Sequence, residues 1–181
     1  MNANSKKYEK QLTGGHPNSL GNTVEVVSDV LTDRKKLKDL IECWQSEDEL
    51  VRLRVQNGVK RVAKEKPEWV AEFIPDLLGW ITKIDQASTK WCLSTLYMWL
   101  ENYMSHDQQI KAIEVMKSNL HYDDWIVQNT TAESLTHFAM KSEDLKEWLL
   151  PELQKLTGSR HKSVARRAQK YIESLLSDNK T

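Results

Sequence analysis

Cysteine is scarce in this sequence: Cys43 and Cys92 are the only two among 181 residues. Two thiols that far apart build neither a disulfide framework nor the paired spacing of a metal site, so the expectation is a reducing, cytoplasmic setting without a metal. Glycine and proline number only six and four, too few for the tight turns of an all-β chain. Charge of one sign is missing as well, because 26 Lys+Arg balance 26 Asp+Glu. A general nucleic-acid binder carries a positive excess, and this chain has none overall. No apolar run approaches the ~18 residues of a membrane span and no secretory leader is visible, so no membrane partner is expected. There is no P-loop, no G-x-G-x-x-G and no C-x-x-C, which removes the familiar phosphate, dinucleotide and redox motifs.

What the chain has is a helical period that repeats. In Glu49–Lys66, Val51, Val55, Val59 and Val62 fall at offsets 0, 4, 8 and 11, one face of a helix. The same offsets recur downstream as Thr89, Leu93, Tyr97 and Leu100. They appear again as Val127, Thr131, Leu135 and Phe138, then as Val164, Ala168, Ile172 and Leu175. The intervals are 38, 38 and 37 residues. A fixed period of helix–turn–helix units predicts an all-α solenoid in which each pair buries its face on its neighbours.

Residues 1–18 are polar and read as a mobile tail. Residues 19–31 read as one leading helix, and four helical pairs follow, so the folded domain spans 19–176 and 177–181 fray. The first outer helix starts at Asp33, and Pro67 opens the second, which carries Val70 through Ile81 to a turn at Asp85. The third and fourth pairs begin near Asp107 and Glu143.

These units resemble HEAT (armadillo-like) repeats: an outer helix, an acidic turn, and an inner helix beginning Asp-x-x-Val-Arg. Asp48, Val51 and Arg52 carry that pattern best; Asp124 and Val127 keep it with Gln128 in place of arginine. The resemblance implies a right-handed solenoid whose inner helices line a concave face. It also implies a binding scaffold more often than an enzyme.

In that frame the concave-face candidates are Leu53, Trp91, Thr95, Met98, Asn129, Glu133, Arg166 and Lys170. Trp91 and Met98 lie on a helix that is apolar nearly all round, and two readings stand: burial by neighbouring repeats, or an exposed anchor for a partner helix or peptide. Most of the seven Trp read as packing residues, with Trp125 at a repeat turn a candidate for exposure. Lys162, Arg166, Arg167 and Lys170 form a basic end, read either as the solvated face of a terminal repeat or as a phosphate contact. Arg52 and Arg54 are expected to bridge to acids at the repeat turns, such as Asp48 or Asp85.

No catalytic constellation emerges. His121 with Asp123 and Asp124 is the one His/carboxylate cluster, and it reads as a capped helix start. HEAT-like di-iron hydroxylases use His-Glu dipeptides, and there are none here. Cys92 reads as a packed small residue. The leading expectation is therefore a non-catalytic protein–protein interaction scaffold with no cofactor and a protein partner on the concave face. The alternative is a nucleic-acid-binding HEAT-like protein resembling the DNA alkylation-repair glycosylases, using Trp91, Trp125, Glu133 and the basic end. An assembly role resembling phycobilin lyase repeats implies a shorter period than this one.

Overall fold

A computed structural model describes residues 2–177, and among them every regular element is helical. The helices are α1 (Ala3–Leu12), α2 (Thr23–Val30), α3 (Lys36–Glu42), α4 (Glu49–Glu65), α5 (Pro67–Ala71) and α6 (Ile74–Leu78). They continue as α7 (Ala87–Trp99), α8 (His106–Leu120), α9 (Trp125–Ala139), α10 (Glu143–Leu156) and α11 (Lys162–Ser177). Short 3-10 turns extend α3 and α7 and follow α6.

Side-chain caps set several helix starts, satisfying amide groups that have no partner within the helix. Asp48 accepts from the Leu50 amide at 2.8 Å, and Asp124 accepts from Ile126 and Val127 at 2.9 Å each. Ser105 and Gln108 form a reciprocal capping box on α8.

The four stripes face the core. Of their sixteen positions only Ile172 is half-buried; the others are buried. In sequence order α4 packs on α7, α7 on α9 and α9 on α11, while α8 and α10 both pack on α9. The Ser94 and Thr131 hydroxyls meet at 3.0 Å between α7 and α9, whereas the buried hydroxyl of the other stripe threonine, Thr89, has no hydrogen-bond partner among the described residues.

The expected mobile tail at 1–18 is not what forms. Ala3–Leu12 is a helix that packs on α3 and α4 and buries Tyr8 and Leu12 in the common core, so the folded unit begins well before residue 19. Polar bonds pin it. The Tyr8 hydroxyl donates to Asp29 at 2.6 Å, Ser5 donates to Glu42 at 2.6 Å, and Thr13 donates to Asp48 at 2.9 Å. The expected fray at 177–181 falls on Ser177, the last residue of α11, and on residues outside those described.

Arg54 corrects a second expectation. Among the described residues it pairs with no acid: its guanidinium, in a residue only 2% exposed, donates to the backbone carbonyls of Leu12 at 2.6 Å and Gly14 at 2.5 Å. His16 and Ser19 carbonyls accept at 3.3 Å each. The loop wraps it closely because Gly14, Gly15 and Gly21 take positive φ of 71°, 79° and 51°, a region open to glycine at little strain. Arg52 donates to the Ser46 carbonyl and to the Gln86 side chain, at 2.6 Å each, and approaches Glu49 at 3.8 Å. It thus joins the two repeat turns through an amide and a carbonyl, with only a loose acid contact.

The second outer helix is also broken into α5, α6 and a 3-10 turn. Pro75 becomes a first-turn residue of α6 instead of an interior one, and α6 stops at Gly79.

Candidate functional site

Helices α4 and α7 lie side by side and run the same way, because their first turns line one cavity and their later turns line another. The first cavity, about 620 Å³, has Asp48, Glu49 and Asp85 at its rim and Leu50, Leu53 and Tyr122 among its walls. The second, about 430 Å³, is lined by Asn57, Lys60, Arg61 and Lys64 of α4 and by Thr95 and Trp99 of α7. Leu53 and Asn57 are one turn apart on α4, and Trp91 lies one turn from both Ala87 and Thr95 on α7, so the cavities follow one another along the same pair of faces.

The electrostatics reverse along this line. At the first cavity Glu49 and Asp85 have side chains 79% and 82% exposed, each near one cation: Arg52 at 3.8 Å and Lys90 at 3.4 Å. Hydrogen bonding from the Leu50 amide, helped by Thr13, holds the Asp48 carboxyl below the usual carboxylate range despite partial burial. At the second cavity no carboxylate lines the wall. Lys60 sits 4.0 Å over the Trp91 ring and Lys64 5.3 Å over the Trp99 ring, which places cation–π pairs along the groove. Burial, with Lys64 nearby, holds the Lys60 ammonium below the usual lysine range.

The sequence-predicted residues divide among different places. Leu53, Trp91 and Thr95 belong to this groove, all half-buried, and Thr95 donates to the Trp91 carbonyl at 3.0 Å. Met98 is half-buried on the same helix, and neither it nor Trp91 lines either cavity. Asn129 is 4% exposed and donates to Ser163 at 3.4 Å across α9–α11, so it is a packing residue and does not face a partner. Glu133 is exposed and stands 3.8 Å from Arg167. Lys162, Arg166, Arg167 and Lys170 are all exposed on α11, away from the groove residues. Arg61, Lys64 and Trp99 were missed; the signal of the first two was present as a basic run on α4, Lys60–Arg61–Lys64, with no acid until Glu65.

The other chemical candidates take up structural contacts. Asp124 caps α9, Asp123 pairs with Arg160 at 3.2 Å, and His121 faces Glu152 at 3.7 Å. Among the described residues no three His, Cys, Asp or Glu side chains are placed to hold a metal ion. Burial pushes both the Cys43 and Cys92 thiols up to about 12, so they stay protonated at neutral pH and are poor nucleophiles. Trp125 is exposed, at 46%. Among the described residues no helix is long and apolar enough to cross a membrane.

No protein-family model matches the chain, and no curated protein matches it. Among solved structures it is similar to the crystal structure of an engineered protein, with a TM-score of 0.62 and 18% identity over 99% of this chain and 88% of that one. At that identity the likeness speaks to the fold alone.

Proposed function

We propose that the chain is a non-catalytic interaction scaffold, a short HEAT-like α-solenoid that receives a protein partner on the side formed by α4, α7, α9 and α11. The observation that carries this reading is the groove along α4 and α7, where two cavities of opposite charge follow one another, with half-buried Leu53 in the wall of the first and half-buried Trp91 beneath Lys60 of the second. Half-buried aromatic and aliphatic side chains flanked by charge are the usual make-up of a partner-binding patch. The near-constant repeat of buried stripes supports the solenoid, and the buried, protonated thiols support a role without cysteine chemistry. Two unpaired cysteines suit a cytoplasmic setting.

Nucleic-acid binding is the second reading, favoured by the exposure of Lys162, Arg166, Arg167 and Lys170 on one helix. Against it, 26 Lys+Arg balance 26 Asp+Glu, so the chain lacks the positive excess of a general nucleic-acid binder. Affinity capture of the tagged chain from its native lysate, with and without nuclease, tests the two. A protein partner that survives nuclease and is lost in Trp91→Ala/Arg166→Glu is the expected result. Recovery of nucleic acid that is lost at high salt transfers the assignment to the second reading.

A further inference from the structure

Resting on the scaffold reading, we infer that the α4–α7 groove binds an amphipathic helix of a partner protein in one direction. The acidic N-terminal turn of that helix lies on Lys60, Arg61 and Lys64, and its basic C-terminal turn lies on Asp48, Glu49 and Asp85. The argument is charge complementarity along a line of known length. The acidic rim stands at the first turns of both helices and the basic wall at their later turns. From Glu49 to Lys64 the line runs about 22 Å at 1.5 Å per residue, or about four helical turns. Between the charged ends, Leu50 and Leu53 supply apolar wall on α4 and Ala87 on α7, and half-buried Trp91 follows one turn on, under Lys60. That pattern fits a ligand with apolar residues at i, i+3 or i+4, and i+7.

Direction follows from two effects that agree. Helices favour acids in their first turn and bases in their last, so a natural amphipathic helix matches this groove only when antiparallel to α4 and α7. Its macrodipole then opposes theirs. An acidic rim alone would be the ordinary preference of two helix N-termini. The second observation is the carboxylate-free basic wall on the same faces, with Arg61 and Lys64 exposed.

The test uses two fluorescein-labelled, side-chain-stapled peptides of about 16 residues, matched in composition and in helicity by circular dichroism. One carries three glutamates in its first turn, apolar residues at i, i+3, i+4 and i+7, and three lysines in its last turn; the other has the charged ends exchanged. Fluorescence anisotropy on the full chain should show the first binding about tenfold tighter at low salt, with the preference shrinking as salt screens the ends. In Glu49→Lys/Asp85→Lys/Arg61→Glu/Lys64→Glu, all at exposed positions, the preference should invert. Equal affinity for the two peptides, an unchanged preference in the reversed variant, or no binding of either overturns the inference. So does displacement of the bound peptide by a single-stranded oligonucleotide of similar length at equal concentration, which assigns the groove to nucleic acid. Equal binding of both peptides that is abolished by Leu53→Glu removes the polarity yet leaves the groove as a docking surface, so the two readings fail separately.

Discussion

Replacing Arg54 with alanine should release the N-terminal helix while leaving the rest of the fold in place. The guanidinium makes two short bonds, to Leu12 and Gly14, and two longer ones to His16 and Ser19. Hydrogen bonds to charged groups contribute roughly 1.5–3 kcal/mol each but are not additive. Gly14, His16 and Ser19 are exposed and can rehydrate, so the net loss falls to about 3 kcal/mol, in the range of severe single truncations. Because the lost bonds all anchor the 12–19 loop, the loss should appear in α1. At 1.4 kcal/mol per decade, amide-exchange protection of α1 should fall by about two orders of magnitude, while α7–α11 keep theirs. Hydrogen-exchange mass spectrometry reads both regions in one experiment. Arg54→Lys should recover little, since one ammonium has three donors and no planar fork to span four carbonyls. Gly21→Ala acts at the same place, because its Cβ would stand 2.8 Å from Arg54 Cζ at a φ of 51°; the double variant should lose less than the two single losses together. Unchanged α1 protection, or an equal loss in every helix, would refute the clamp.

Three further expectations concern individual polar side chains and their partners. Glu101, 8% exposed, accepts from His137 at 2.7 Å and Lys141 at 2.6 Å; burial pushes its carboxyl up, but those two bonds outweigh it and hold it below the usual range. A depressed folded value means stability present above the unfolded value near ~4.3 and lost as pH falls through the folded one. Glu101→Gln should therefore lose about 1–3 kcal/mol at neutral pH, and urea melts should show the gap closing in acid; a gap independent of pH contradicts this. Asp29, Glu42 and Asp48, which bond Tyr8, Ser5 and Thr13, are all held below the usual range, chiefly by hydrogen bonds from Lys36, Ser5 and the Leu50 amide respectively. By the same sign, acid should loosen α1 early, so pepsin near pH 3 should cut around Tyr8–Leu12 before it cuts α7–α11; simultaneous cleavage would count against it. Gln56 is 0% exposed and neither side-chain polar atom has a partner, so Gln56→Leu should stabilise by about 1–2 kcal/mol. A lower melting temperature would show that the amide is not idle.

The helical stripes were legible because they are written in side chains: each is a period of apolar or small residues, and the structure buries nearly all of them. Helix α1 was hidden for the opposite reason. Its core contribution is Tyr8 and Leu12 alone, and Arg54 holds the adjoining loop through carbonyls that every residue possesses. Side-chain patterning carries no trace of such a contact. The break at α5–α6 had a signal in Pro75 and Gly79, which the continuous apolar spacing from Val70 to Ile81 masked. For the groove, Leu53, Trp91 and Thr95 could be placed by periodicity. Its polarity could not, because Asp85 and Lys64 become ends of one line only when α4 and α7 are known to run the same way.

Contact through main-chain carbonyls gives the 14–19 segment an unusual freedom. Arg54 recognises the path of the chain and is indifferent to the letters on it, so long as Gly14 and Gly15 keep their positive φ. His16, Pro17 and Asn18 are exposed, and Pro17 forms part of the wall of the acidic cavity. The exposed residues His16, Pro17 and Asn18, beside a proposed binding groove, can be rewritten while Leu12, Thr13 and the frame stay fixed. Substitution or insertion there offers a way to change which partners the groove admits, in an engineer's library or by drift, with the helices beneath left untouched.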